Sequence, residues 1–151
     1  MHQKNQCALR TGYCAIVTLE TNVLLISFMK EREKLALELQ ERLTRFSTRI
    51  VTLSEALPQT RAAKHVANQV LRSGTAPMAN YAEARNSESR SDFIHKLRIV
   101  LKELNETEAW LDLIQKNSWF SPTKMSRILA ENRELCRIIA KSIQTAGGFN
   151  H

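Results

Sequence analysis

The sequence predicts an all-α protein, an antiparallel up-down four-helix bundle. Three observations carry that prediction. Apolar residues recur at steps of three and four along four separate segments. Only 4 Gly and 3 Pro occur in 151 residues, which leaves little of the turn chemistry a many-stranded β fold needs. The abundant Ala, Leu, Glu, Arg and Lys suit helices. A chain of this length holds one domain and one core, with no need of disulfides or metal.

The elements follow in order. Residues 1–28 differ from the rest, and their apolar run "AIVTLETNVLLISF" is interrupted by Glu20 and Asn22. The run is too short and too polar to span a membrane as a helix. It also lacks the clean apolar core and cleavage site of a signal peptide. Its β-branched content permits a weak hairpin. Two readings remain for this leader: a disordered segment, or one that is not translated, with the start at Met29 in "MKEREKLALELQERL". The bundle domain is then 29–147, followed by a short tail, 148–151.

From Lys30 a regular helix is expected. Leu39, Leu43, Phe46, Ile50, Leu53 and Leu57 form one apolar stripe, and Pro58 ends it. Thr60 is the expected N-cap of the second helix. Ala62, Ala63, Val66, Ala67, Val70 and Leu71 form its apolar side. "SGTAP" (73–77) should bend or break this helix, because Gly74 is permissive and Pro77 lacks an N–H. Asn86 is expected as a left-handed C-cap. Ser87 or Ser89 then caps the third helix, and Ser89 with Asp92 resembles a capping box. Phe93, Leu97, Val100, Leu104, Thr107, Leu111 and Ile114 continue its stripe. Ser121 and Pro122 open the fourth helix as N-cap and first helical residue. Met125, Ile128, Asn132, Leu135, Ile139 and Ser142 or Ile143 give its buried face, and Gly147 and Gly148 end it.

The formal net charge of +7 favours polyanionic partners, RNA or DNA among them. Cys7, Cys14 and Cys136 form no CxxC pair and match no zinc spacing, which points to a reducing, cytoplasmic compartment. No P-loop, dinucleotide fingerprint or nucleophile elbow occurs, so no cofactor is expected.

The pieces "HVANQVLRSGT", "ANYAEAR", "SRSDFIHKL" and "VLKELNET" resemble a known bacterial family, the four-helix bundle proteins first noticed in intervening sequences of 23S rRNA genes. The resemblance spans roughly residues 33 to 145. It implies a compact bundle that often assembles as a homopentamer. A related branch, the accessory variability proteins of diversity-generating retroelements, works beside a reverse transcriptase and carries basic surfaces. The resemblance implies no assigned biochemical role. The leader before Met29 has no counterpart in the family pattern, and Pro77 stands where a small residue is more usual.

Candidate sites follow, each beside its plainer alternative. Arg61, Lys64, His65, Asn68 and Arg72 share the polar face of the second helix, with no acidic residue between Glu55 and Glu83. Long cationic donors along a surface suit phosphate contact; the alternative is a solvated face. A second acid-free run, Leu113 to Ala130, holds Lys116, Lys124 and Arg127. Its Trp119 and Phe120 could stack on a base, though capping the bundle end or filling an interface is the favoured reading. The polar stretch around Tyr81, Arg85, Arg90 and Asp92 reads mainly as a hairpin and subunit interface, in which Arg85 and Arg90 can pair with Glu83 and Glu88 across a turn or across a subunit boundary. Arg90 and His95 also form an Arg-x4-His spacing similar to that of helical HEPN ribonucleases. On a regular helix, however, those two side chains diverge by about 140°. Asp92 and His95 are spaced like one arm of a di-iron site, but no second arm exists, so no metal is expected. Glu103, Glu106, Glu108 and Asp112 read as a solvated, ion-paired face.

The expected function is therefore that of a non-enzymatic, oligomeric accessory or scaffold protein binding RNA or DNA through a basic surface. The alternatives are a metal-independent ribonuclease using Arg90 and His95, and a protein-interaction module without nucleic acid. A reverse transcriptase partner follows only from the resemblance, and no membrane association is expected.

Overall fold

The structure, a computed structural model, describes residues 5–148, with side chains from Leu24 onward. Four helices follow one another: α1 (Asn5–Glu55), α2 (Arg61–Arg85), α3 (Arg90–Lys116) and α4 (Pro122–Gly147). The chain divides into two units, 1–38 and 39–151. In the first, the helix exposes Leu24, Leu25, Ile26, Phe28, Met29, Leu35 and Leu37. The weak hairpin admitted for residues 15–28 is replaced by helix. Once a segment rich in helix formers such as "MKEREKLALELQERL" is helical, adding residues at its end is easier than nucleating a separate structure. The expected boundary at Met29 lies inside α1, and the compact unit begins at Leu39. Of the expected tail, residues 149–151 lie outside the described residues.

Within 39–151 the helices pair antiparallel, as matched contacts show. Gln40 Nε2 donates to the Met78 carbonyl (3.1 Å) and Ser47 Oγ to the Gly74 carbonyl (3.0 Å), so α1 and α2 run in opposite directions. Lys96 reaches Glu83 (3.1 Å), and Arg72 reaches Glu106, which orders α2 against α3. Asn132 Nδ2 donates to the Leu104 carbonyl (3.1 Å) and Arg133 Nε to Glu108 (2.6 Å) between α4 and α3. Arg42 joins Glu131 between α1 and α4.

The core is the set of stripes read from the sequence. Leu43, Phe46, Ile50, Leu53 and Leu57 are buried on α1, and Leu97, Val100, Leu104, Leu111 and Ile114 on α3. On α4 they are Met125, Ile128, Leu129, Leu135 and Ile139. α2 is the lightest contributor, with Ala63, Val66, Val70, Tyr81 and Ala84, while Ala62 is exposed. Burying each large aliphatic side chain contributes about 1.5–3 kcal/mol of transfer free energy.

The caps explain where the helices start and stop. Thr60, Ser89 and Ser121 are the N-caps; their hydroxyls accept from the N–H of Ala63, Asp92 and Lys124. Gly148 takes the left-handed conformation (φ 80°) that closes α4. Asn86 does not: its φ is −102°. Its side chain instead donates to the Ala82 carbonyl (2.9 Å) and its N–H to that of Glu83 (3.1 Å), which satisfies the helix end without a left-handed residue.

Of the two outcomes expected at Gly74–Pro77, a bend or a break, the helix does not break. α2 runs from Arg61 through Pro77 to Arg85. Gly74 serves packing there. A Cβ added to it would lie 2.7 Å from Ile50 Cγ2 and 2.8 Å from Ile50 Cγ1. The absent side chain is what lets α1 and α2 approach this closely, and the Ser47 hydroxyl ties the Gly74 carbonyl across the contact.

Candidate nucleic-acid interface

Antiparallel pairing decides which basic residues meet. α1 and α3 end, and α2 and α4 begin, at the same end of the 39–151 bundle. The two acid-free runs therefore share that end. Arg61 and Lys64 stand in the first turns of α2, Lys116 in the last turn of α3, and Lys124 and Arg127 in the first turns of α4; all are exposed. Among the described residues none of the five makes an ion pair. Asp112, the nearest acid on α3, already faces Arg133 at 3.9 Å. Glu55, the last residue of α1, is exposed at the same end but pairs with none of the five, so this end presents cations that no ion pair neutralises among the described residues.

Arg72 does not belong to it. Freedom from acids along α2 does not free Arg72, because α3 brings Glu106 into direct contact and Glu103 to 3.7 Å. The Trp110 indole also donates to Glu106 (3.3 Å). His65 is exposed and meets Trp110 edge to face, with ring centroids 6.0 Å apart. His65 thus lies between the free cations Arg61 and Lys64 and the neutralised Arg72. Asn68 is exposed on the same helix.

The acids of α3 are ion-paired as expected but not uniformly solvated. Glu103 is only 6% exposed, with Lys102 at 3.5 Å beside Arg72. A buried carboxylate needs such partners, because desolvation otherwise opposes its charge. Trp119 and Phe120 are half-buried against the core, the favoured reading of the two, and Lys124 Nζ sits 4.1 Å from the centre of the Phe120 ring.

Between α1 and α4 the basic residues change character along the helix. Arg42 donates to both Glu131 oxygens, at 2.7 and 3.1 Å. That hydrogen bond holds the Glu131 carboxyl below the ordinary carboxylate range and raises Arg42. Two turns further along α1, Arg49 is exposed and makes no ion pair among the described residues. Sequence reasoning missed Arg49. It sits in a mixed helix with no distinguishing run, and only its placement beside the start of α4 gives it significance.

At the opposite end Arg90 and Lys96 have partners, while Arg98 and Lys141 stay exposed without ion pairs among the described residues. Arg90 donates from Nε to the Ala146 carbonyl at the end of α4, where a cation is favoured by the exposed carbonyls. Within the protomer Glu83 is held by Lys96, and Arg90 contacts α4 rather than Glu83 or Glu88. Tyr81 is 5% exposed and belongs to the core, and Arg85 is half-buried. Asp92 contributes its N–H to the Ser89 cap (3.1 Å). Arg90 and His95 lie on one regular helix and are not brought together within the protomer. Among the described residues no three His, Cys, Asp or Glu side chains are grouped as metal ligands. No helix among them is long and apolar enough to cross a membrane. Cys136 is half-buried, and burial pushes its thiol up to about 11, so it is not poised as a nucleophile.

The fold and surface define a class: an all-α antiparallel bundle with exposed, unpaired cations gathered at one end. The model of the 23S rRNA-intervening sequence protein family matches residues 35–141, and the chain belongs to that family. Among solved structures it is similar to a protein of unknown function from the S23 ribosomal protein family of Bacteroides thetaiotaomicron. The two are 34% identical, with a TM-score of 0.68, over 72% of this chain and 97% of the other. No curated protein matches the chain.

Proposed function

We propose that this protein is a non-enzymatic, oligomeric accessory or scaffold protein that binds RNA or DNA through the cationic end of its bundle. The observation that carries the reading is the gathering of Arg61, Lys64, Lys116, Lys124 and Arg127 at one end with no internal ion pairs among the described residues. Cations left unpaired in this way are free to release counterions from a phosphate backbone, the main source of affinity for nucleic acid. The Arg90–His95 ribonuclease is the weaker reading, because Arg90 is committed to the α4 terminus. The oligomer is expected from the family, and a reverse transcriptase would be one partner for such a scaffold.

The test is fluorescence anisotropy of a labelled structured RNA against the full chain over a salt series. Saturable binding whose log affinity falls linearly with log salt supports the reading. Absence of binding at low salt overturns it and leaves a protein-interaction module.

A further inference from the structure

Between α1 and α4, beside the cationic end, lies a groove of about 200 Å³ lined by Thr48, Arg49, Thr52, Leu53, Lys124 and Ile128. Its chemistry is divided. Leu53 and Ile128 are 2% and 3% exposed and form an apolar floor. Arg49 and Lys124 are exposed cations without ion pairs among the described residues. The hydroxyls of Thr48 and Thr52 donate to the Thr44 and Thr48 carbonyls (3.0 and 3.1 Å), so toward a ligand they offer lone pairs. Lys124 is steadied over the Phe120 ring.

An occupant must therefore combine an anion, a compact apolar body and hydrogen-bond donors on its edge. The volume is below the roughly 300–1,000 Å³ of sites that enclose a whole drug-sized ligand, so only part of a larger molecule enters. Duplex nucleic acid offers phosphate but keeps its bases stacked. An unpaired nucleotide offers all three features: a phosphate, a flat ring with an apolar face, and N–H groups on its edge.

We infer that this groove receives one unpaired base of a single-stranded segment, with the adjoining phosphate held by Arg49 and Lys124. The inference rests on the proposed nucleic-acid reading and specifies which form of nucleic acid the site prefers. The base lies over Leu53 and Ile128, and its N–H groups donate to Thr48 or Thr52. Arg61 and Lys64 lie outside the groove and track the backbone alone.

The experiment compares the full chain with R49A/K124A and R61A/K64A. Each is titrated with a short labelled single strand, the same strand carrying an abasic site, and its duplex. All four substituted residues are exposed, so the variants keep the core intact. The expected result is that wild type prefers the single strand over the abasic strand and the duplex by about tenfold, the scale of burying one apolar ring face on Leu53 and Ile128. R49A/K124A should abolish that preference, while R61A/K64A should weaken all three ligands alike and keep it. Equal affinity of wild type for the intact and abasic strands overturns the base-binding groove and leaves the cationic-end reading standing. Binding of none of the three at low salt overturns both.

Discussion

The two ends of the bundle carry similar side chains and treat them differently. At the end where α2 and α4 begin, Arg61, Lys64, Lys124 and Arg127 make no ion pairs among the described residues. At the other end Arg90 closes α4 through the Ala146 carbonyl, and Lys96 is tied to Glu83. Charge does not distinguish Arg61 and Lys64 from Arg90 and Lys96; partnering does. A cation spent on a helix terminus or a carboxylate is structural, whereas one left in water is available to a polyanion.

Substitutions that touch only structure should leave binding alone, and the largest effect is expected at Gly74→Ala. The new methyl meets Ile50 at the α1–α2 contact and should lower stability by about 1–3 kcal/mol, read in urea titrations. The salt slope for nucleic acid should not change. Next comes Arg90→Ala, which removes a donor from the α4 terminus and should destabilise by roughly 1 kcal/mol, again without altering the slope.

Glu131→Gln sharpens the comparison, because it turns a structural cation into a free one. The Arg42–Glu131 pair is partly exposed, so its loss should cost only about 1 kcal/mol at neutral pH. The folded-state carboxyl titrates below its unfolded value, so the pair's contribution is present above about pH 4.3 and fades as pH falls through the lower folded value. The variant should lose less stability than wild type over that acid window. It should also bind nucleic acid somewhat more tightly, since a carboxylate beside Arg42 is gone. The smallest effect is expected at Ser118, which adopts a positive φ of 55° in the α3–α4 loop. Ser118→Gly should raise stability by up to about 1 kcal/mol in thermal melts and leave the cationic surface intact.

The fold was legible because helix stripes and caps are local. Leu43 to Leu57 or Leu97 to Ile114 can be read at intervals of three and four, and Thr60, Ser89 and Ser121 sit where a cap must. The site was legible only in part. Acid-free runs identified Arg61, Lys64, Lys116, Lys124 and Arg127, but an acid-free run excludes only neighbours in sequence. Arg72 is neutralised from α3, more than thirty residues away, by Glu103 and Glu106. Arg49 gains its place only once α1 lies beside α4. Gly74 was legible only as a permissive position, because the residue it packs against, Ile50, is on another helix.

The central claim is that the partner-free end binds, rather than the net charge of +7 as a whole. Two variants with the same loss of charge test it most directly: R61Q/K64Q at one end and R90Q/K96Q at the other. Each removes two positive charges, and each is titrated with labelled RNA over a salt series. The account predicts that R61Q/K64Q flattens the slope of log affinity against log salt by about two, while R90Q/K96Q leaves it unchanged. Equal flattening by both would contradict the account and return the binding to undifferentiated charge.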